Sequence, residues 1–150
     1  MFTVQKAAAG LALAGVMTGA ALVAPTSAEA TPPSGVSAKL ISEMTTGSTH
    51  YVVREITVAP GGSTGWHYHD GPVFGVMKSG KLTHVDSDCS ATTYRAGQTI
   101  IEPAGTDQVH IGRNDTNAPL VLYALYVLPV GAPFAEDAPD PGCAIESAAP

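Results

Sequence analysis

Short apolar segments, separated by turns rich in glycine and proline, run through most of this 150-residue chain. Many of them contain β-branched and aromatic residues, which favour extended backbone. The predicted strands cover residues 36–43, 50–58, 73–78, 82–85, 92–94, 98–102, 108–111 and 120–128. Turns are predicted at residues 59–62 and 79–80. Many short strands at close spacing, with almost no helical pattern, indicate an all-β sandwich or barrel.

Three further segments complete the predicted organisation. Residues 120–128 contain only Leu, Val, Tyr and Ala, a continuous apolar run that is typical of a strand buried on both faces. Residues 31–35 contain two prolines and a glycine and are expected to form a flexible lead-in. Residues 131–150 are biased towards Pro, Ala, Gly and acidic residues, so an irregular tail is expected. The folded domain is therefore predicted to span residues 36–130.

The first 30 residues are typical of a secretory signal peptide. Lys6 provides a positive charge, residues 7–24 are uncharged and apolar, and Ala28 and Ala30 stand where a signal peptidase recognises small side chains. We expect cleavage after Ala30 and a secreted protein, extracellular or periplasmic. The alternative is a retained membrane anchor, because the apolar run is about long enough to span a bilayer.

The charge of the chain argues against two classes of partner. The formal net charge is -6. Removal of the signal leaves it unchanged, because Lys6 and Glu29 cancel. An acidic surface without a basic cluster disfavours nucleic acids and anionic membranes. A small-molecule ligand is the partner we expect, and no membrane association is expected once the signal is cleaved.

Two cysteines, Cys89 and Cys143, remain in the mature chain. An even count in an exported protein predicts a disulfide, which would close a long loop and attach the C-terminal tail to the barrel. The alternative is two free thiols, one of them a metal ligand. Neither cysteine has a histidine or a second cysteine at the spacing of a metal site, which favours the disulfide.

The most informative motif is His67-Tyr68-His69. Two imidazoles two residues apart on a strand point to the same face. A third histidine, His110, follows a second turn marked by glycine and proline. Three nitrogen donors brought together from two strands are enough to hold a transition metal, so these residues are predicted to be metal ligands.

The order of motif residues resembles that of the cupin superfamily. Five residues separate Gly61 from His67, and ten separate His69 from Gly80; in the second half, Gly97, Pro103-Ala104-Gly105, His110 and Asn114 occur in order. The resemblance covers about residues 36–130. It implies a double-stranded β-helix, or jelly-roll barrel, which often binds Fe, Mn, Ni, Zn or Cu through three His and one Glu.

The chain departs from the cupin motifs at two positions. The glutamate of the first motif would fall at Val73 or Phe74, so the fourth ligand is expected to be lost. The histidine of the second motif would fall at Gln108, whereas His110 lies about 7 Å further along an extended strand. Either His110 has taken over the ligand role, or Gln108 holds the old place in a degraded site.

Other polar residues near the motifs are assigned more modest roles. His84 is expected to be an ordinary strand residue, with lining of the pocket as the alternative; Gln108 shares that alternative role. Glu102 and Asp107 flank the second motif and are expected to be solvated loop acids rather than carboxylates that orient a ligand histidine.

Three functions fit this sequence. A metal-dependent enzyme, for example a small-molecule oxidoreductase or isomerase, would use the metal's open coordination positions. A non-catalytic module would bind a small ligand in a barrel whose metal site has degraded. A structural, exported domain would associate into a homodimer. Cupin chemistries are diverse, so the resemblance alone does not choose among them.

Overall fold

The computed structural model describes residues 30–144, so the predicted signal segment, apart from Ala30, lies outside the described residues. Within this range the chain forms ten strands and no helix. No helix in this range is therefore long and apolar enough to cross a membrane. The strands are β1 (Ser34–Thr46), β2 (Thr49–Ser63), β3 (His67–Tyr68), β4 (Val73–Ser79), β5 (Lys81–Asp86), β6 (Ala91–Arg95), β7 (Thr99–Glu102), β8 (His110–Arg113), β9 (Leu120–Pro129) and β10 (Glu136–Asp137).

The strands form two antiparallel layers that join into a nearly closed barrel. One layer has the order β1-β2-β9-β4-β7, and the other has the order β6-β5-β8-β3-β10. They are connected where the end of β2 pairs with β8, at Ser63 and Arg113. The predicted all-β class and the double-stranded β-helix are confirmed.

The predicted turn at residues 59–62 is wrong, because β2 continues through it. Val36 of β1 pairs with Val58, but Ser34 pairs with Ser63, so four residues of β2 bulge opposite one residue of β1. Gly61 has φ of 70°, and a Cβ at Gly62 would lie 2.9 Å from the carbonyl oxygen of Ser34. The glycines therefore allow one strand to bend and pass from the first layer to the second.

The main core lies between the layers and is built largely from β2, β4 and β9. Val52, Val58 and Leu120 are fully buried within it. The run at 120–128 alternates instead of being buried on both faces: Leu120, Ala124, Tyr126 and Leu128 are buried, while the residues between them are mostly half-buried. The prediction for this strand was wrong on that point, because no element of the described chain packs over its outer face fully enough to bury it.

Both ends of the described chain are attached to the barrel. Ala30 forms a bridge with Pro139, and β1 already begins at Ser34, inside the segment expected to be a flexible lead-in. In the tail, Glu136 of β10 pairs with Tyr68 of β3. The predicted disulfide between Cys89 and Cys143 is present, 54 residues apart in sequence. Part of the expected irregular tail is thus ordered against the second layer.

Candidate metal centre

His67, His69 and His110 meet inside the barrel. His67 of β3 and His110 of β8 are register partners, and His69 follows β3 two residues later. All three are buried, at 7%, 3% and 3% relative exposure. One ring nitrogen from each lies within 4.8 Å of the others. Two ligands of one metal at about 2.1 Å are at most about 4.2 Å apart, so small side-chain rotations would bring the nitrogens to that distance.

Backbone carbonyls orient all three imidazole rings. Nδ1 of His67 is 2.9 Å from the Gly65 oxygen, and Nδ1 of His110 is 2.8 Å from the Gln108 oxygen. Nδ1 of His69 is 2.7 Å from the Phe134 oxygen. A carbonyl oxygen only accepts, so each Nδ1 carries the hydrogen and, in a neutral ring, each Nε2 keeps its lone pair. This arrangement is the usual one for histidines that bind a metal through Nε2.

Glu102 of β7 brings a carboxylate to the same place. Its oxygens lie 3.1 Å from Nε2 of His69 and 3.6 Å from Nε2 of His110. Its side chain is 17% exposed, so the expectation of a solvated loop acid was wrong. The motif positions Val73 and Phe74 carry no carboxylate, as expected, but the Glu102 carboxylate from another strand lies beside two of the histidines. Glu102 follows Ile100 at a spacing of two, and Ile100 is buried, so strand alternation could have indicated an inward side chain.

The contacts of His69 favour a cation in this cluster. Its Nδ1 faces the Phe134 carbonyl and its Nε2 faces the Glu102 carboxylate, and both of these groups are acceptors. A neutral imidazole has a single N–H, so one of the two contacts would set a lone pair against an oxygen. A second proton on His69, or a metal ion held between Nε2 and the carboxylate, removes that repulsion. The three imidazoles have the nitrogen donors that a divalent transition metal takes, and Glu102, which is not part of that group of three, adds a carboxylate beside His69 and His110.

His84 lies behind His110 rather than in the cavity. The two rings stack at 4.8 Å, and Nε2 of His84 is 3.5 Å from Glu102. The Nε2 atoms of His84 and His110 are buried without a hydrogen-bond partner. His84, Glu102 and His110 form a second group with metal-ligand spacing, which shares two members with the site already described.

The structure separates the roles of Gln108 and His110. His110 points to the other two histidines, while Gln108 precedes β8 and contributes its backbone oxygen to His110. Neither Gln108 nor His84 is among the residues that line the two cavities at the histidines. A lining role for Gln108 and His84 stays a prediction; His84 stacks against His110, and Gln108 orients that ring through its main chain.

Burial controls the protonation of the cluster. It lowers the pKa of His67 to about 4, with further lowering by neighbouring His110 and His69. Burial also lowers the pKa of His110. For Glu102, burial alone would raise the pKa, but contacts with His69 and His84 and the charge of His110 hold it well below the ordinary value. The cluster thus favours the neutral imidazoles of His67 and His110 and an ionised carboxylate, the forms that bind metal.

Two cavities meet at His67 and His69. The inner one, about 60 Å³, lies within the barrel and includes Glu102 in its wall. The outer one, about 350 Å³, opens between β1, β2 and the C-terminal segment, and Arg54 is part of its wall. His67, His69 and Tyr126 line both cavities. Arg54 was not recognised from the sequence, although Val52, Arg54 and Ile56 alternate on the inward face of β2.

Comparisons with known proteins agree with this fold. Residues 54–126 match the family described as the cupin domain. The cupin domain of an XRE family transcriptional regulator from Enterobacter cloacae is 23% identical, with a TM-score of 0.54, over 64% of this chain and 99% of its own. A cupin 2 conserved barrel domain protein from Salinispora arenicola is 22% identical, with a TM-score of 0.52, over 72% of this chain and 89% of its own.

The fold also occurs in proteins with other roles. The polyketide cyclase RemF from Streptomyces resistomycificus is 16% identical, with a TM-score of 0.57, over 81% of this chain and 84% of its own. A search of curated proteins gave no significant match. At these identities the structural likeness concerns the fold alone. The family match, the barrel and the order of the motif residues lead to one conclusion: residues 54–126 of this chain form a cupin domain.

Proposed function

We propose that this protein is a metal-dependent enzyme of the oxidoreductase or isomerase class that acts on a small molecule. His67, His69 and His110 would hold a divalent transition metal, Fe, Mn, Zn, Ni or Cu, and Glu102 would complete the ligand set. The observation that carries the proposal is the orientation of the three rings. Each donates Nδ1–H to a backbone oxygen, which leaves its Nε2 for the metal.

The bound metal would supply Lewis acidity and open coordination positions for a substrate or O₂. The residues of the chain would do the rest. Glu102 would balance part of the positive charge, and its contacts with His69 and His84 would hold both rings in place. The apolar walls of the inner cavity would limit the access of water, which strengthens electrostatic interactions at the centre.

The alternative, a non-catalytic binding module, rested on the missing carboxylate and the displaced histidine. Glu102 and His110 weaken both arguments, because they bring a carboxylate and a third imidazole to the cluster. We therefore favour the metal-dependent function. Ligand binding that is equally strong in metal-free protein and insensitive to chelator would instead favour the binding module.

The test of the proposed function is metal content. Protein purified without an affinity tag or chelator, and then reconstituted with each candidate metal, should contain about one ion per chain. His67→Ala and His110→Ala should reduce this to background, whereas His50→Ala, which removes an imidazole that contacts Glu43 outside the barrel, should not. Metal-free wild-type protein after both preparations would refute the proposal.

We also propose that the protein is exported. The predicted signal at residues 1–30 and the disulfide between Cys89 and Cys143 support this location, because disulfides persist in oxidising compartments. Mass spectrometry of the protein recovered outside the cytoplasm should give a chain that begins at Thr31. Recovery only from the cytoplasm, with residues 1–30 intact, would contradict export.

A further inference from the structure

Arg54 occupies an unusual position for a cation. Its neighbours along the inward face of β2, Val52 and Ile56, are buried core residues. Its register partner on β9 is Ala124, whose small side chain leaves space beside the guanidinium. Arg54 is the one lysine or arginine among the residues that line the outer cavity of about 350 Å³. A volume of this size is within the range of small-molecule sites.

Two aromatic rings hold the guanidinium in place. Its carbon lies 4.1 Å from the centre of the Phe134 ring and 5.9 Å from that of Tyr126. The two rings pack against each other edge to face at 5.2 Å. Such contacts orient the planar group without neutralising it. Within residues 30–144, no aspartate or glutamate forms an ion pair with Arg54.

The same cavity includes His67 and His69 in its wall. A ligand in this space would therefore contact the cation at one end and the histidine cluster at the other. The wall also contains Val36, Ile56 and Phe134, so the middle of the ligand would lie against apolar side chains. A half-buried guanidinium that pairs with no acidic side chain of the described residues favours an anion, and its planar fork matches a carboxylate through two parallel hydrogen bonds.

We propose that Arg54 binds the carboxylate of a small organic acid that is the substrate of this protein. The rest of the acid, a short apolar body with a second oxygen donor, would lie between Phe134 and the histidines. This inference rests on the proposed function for the second contact, at the metal. The contact between Arg54 and the carboxylate does not depend on a metal. Carboxylate binding by Arg54 and the metal-dependent function can therefore be refuted independently.

The experiment uses benzoate and its neutral analogue benzamide as probes, titrated into the disulfide-intact protein and followed by NMR. In chelator-treated wild-type protein, benzoate should bind about tenfold or more tightly than benzamide. Arg54→Met should remove that preference and leave benzamide binding within about twofold, while Arg54→Lys should keep part of it. Arg95→Met, a control with the same charge change at an exposed position of β6, should behave as wild type.

Equal binding of the two probes to wild-type protein, or no binding of benzoate, would overturn the proposal. A preference for benzoate that survives in Arg54→Met would do the same. If Arg54→Met does not fold, the comparison of benzoate with benzamide in wild-type protein and in Arg54→Lys still tests the proposal. Repeating the titration after addition of each candidate metal separates the two ideas. Failure to take up any of Fe²⁺, Mn²⁺, Zn²⁺, Ni²⁺ or Cu²⁺, with an intact benzoate preference, would defeat the proposed function alone. Metal uptake without that preference would defeat the role of Arg54 alone.

Discussion

Val73 of β4 and Glu102 of β7 are register partners, so their side chains leave the same face of the sheet beside each other. Val73 is buried and is one of the two positions, with Phe74, where the cupin motif would have its glutamate. Glu102 therefore brings a carboxylate to the same part of the barrel from the neighbouring strand. A ligand side chain that is missing at one position of a sheet can be supplied by its register partner on the neighbouring strand, because the two residues point to the same face.

This relationship predicts that Glu102 contributes directly to metal affinity. Glu102→Gln keeps the shape of the side chain but removes its charge, and it should weaken metal binding by about tenfold or more in competition with a chelating dye. Glu43→Gln, which neutralises an exposed carboxylate, is the control. Wild-type affinity in Glu102→Gln would exclude the carboxylate as a ligand.

The register pair also offers a rescue experiment. The double variant with Val73→Glu and Glu102→Val exchanges the two side chains and returns the carboxylate to the position of the family motif. Its metal affinity should exceed that of Glu102→Val alone and approach the wild-type value. A double variant no better than Glu102→Val would show that the two positions do not present a carboxylate to the same point.

The low pKa of His67 predicts that metal-free protein loses stability in mild acid. The folded state takes up the proton at about pH 4, whereas the unfolded chain takes it up near 6.5. As the pH falls from 6.5 to 4.5, the unfolded state binds more protons, so the free energy of unfolding should decrease by about 2 kcal/mol. The lowered pKa of His110 acts in the same direction.

Urea denaturation at several pH values measures this effect. Measurements above pH 4.5 keep Glu102 out of the slope. Its folded pKa is well below the ordinary value of 4.5, so its stabilising contribution changes mainly below that pH. In His67→Asn the slope should be smaller than in wild type. An equal slope in the two proteins would mean that His67 is not the group responsible.

The disulfide should stabilise the fold through the unfolded state. Cys89 and Cys143 close a loop with a separation of 54 residues, for which chain entropy gives about 4 kcal/mol. Measured effects are often smaller, so the double Cys→Ser variant should unfold with a free energy about 2–4 kcal/mol lower. The oxidised wild type should lose the same amount on addition of a reductant, and the variant should not respond. Equal stability of the three forms would contradict this role.

The sequence was sufficient for the fold class because its glycines, its short strand patterns and the order of His67, His69, His110 and Asn114 are local signals. Asn114 illustrates why: it is fully buried, and its amide donates to the carbonyl oxygens of Val58 and Ala118. One side chain thus fixes the course of the backbone after β8.

Strand alternation could indicate that Glu102 points inward, but its place beside the histidines could not be read from the sequence. It depends on the register between β7 and β4, which is set by long-range pairing. Its place beside a turn made solvation the simpler expectation. The bend in β2 had a similar origin: Gly61 and Gly62 carry turn chemistry, but pairing with β8 keeps them inside a strand. In both cases the pairing register between distant strands, and not the local propensity of the residues, determined the structure.

The most direct test of the central claim is a crystal structure of metal-loaded protein with diffraction recorded at the absorption edge of the bound metal. The account predicts a single anomalous peak at about 2.0–2.2 Å from Nε2 of His67, His69 and His110. Absence of a peak between these rings in fully loaded protein, or a peak that His110 does not contact, would contradict it.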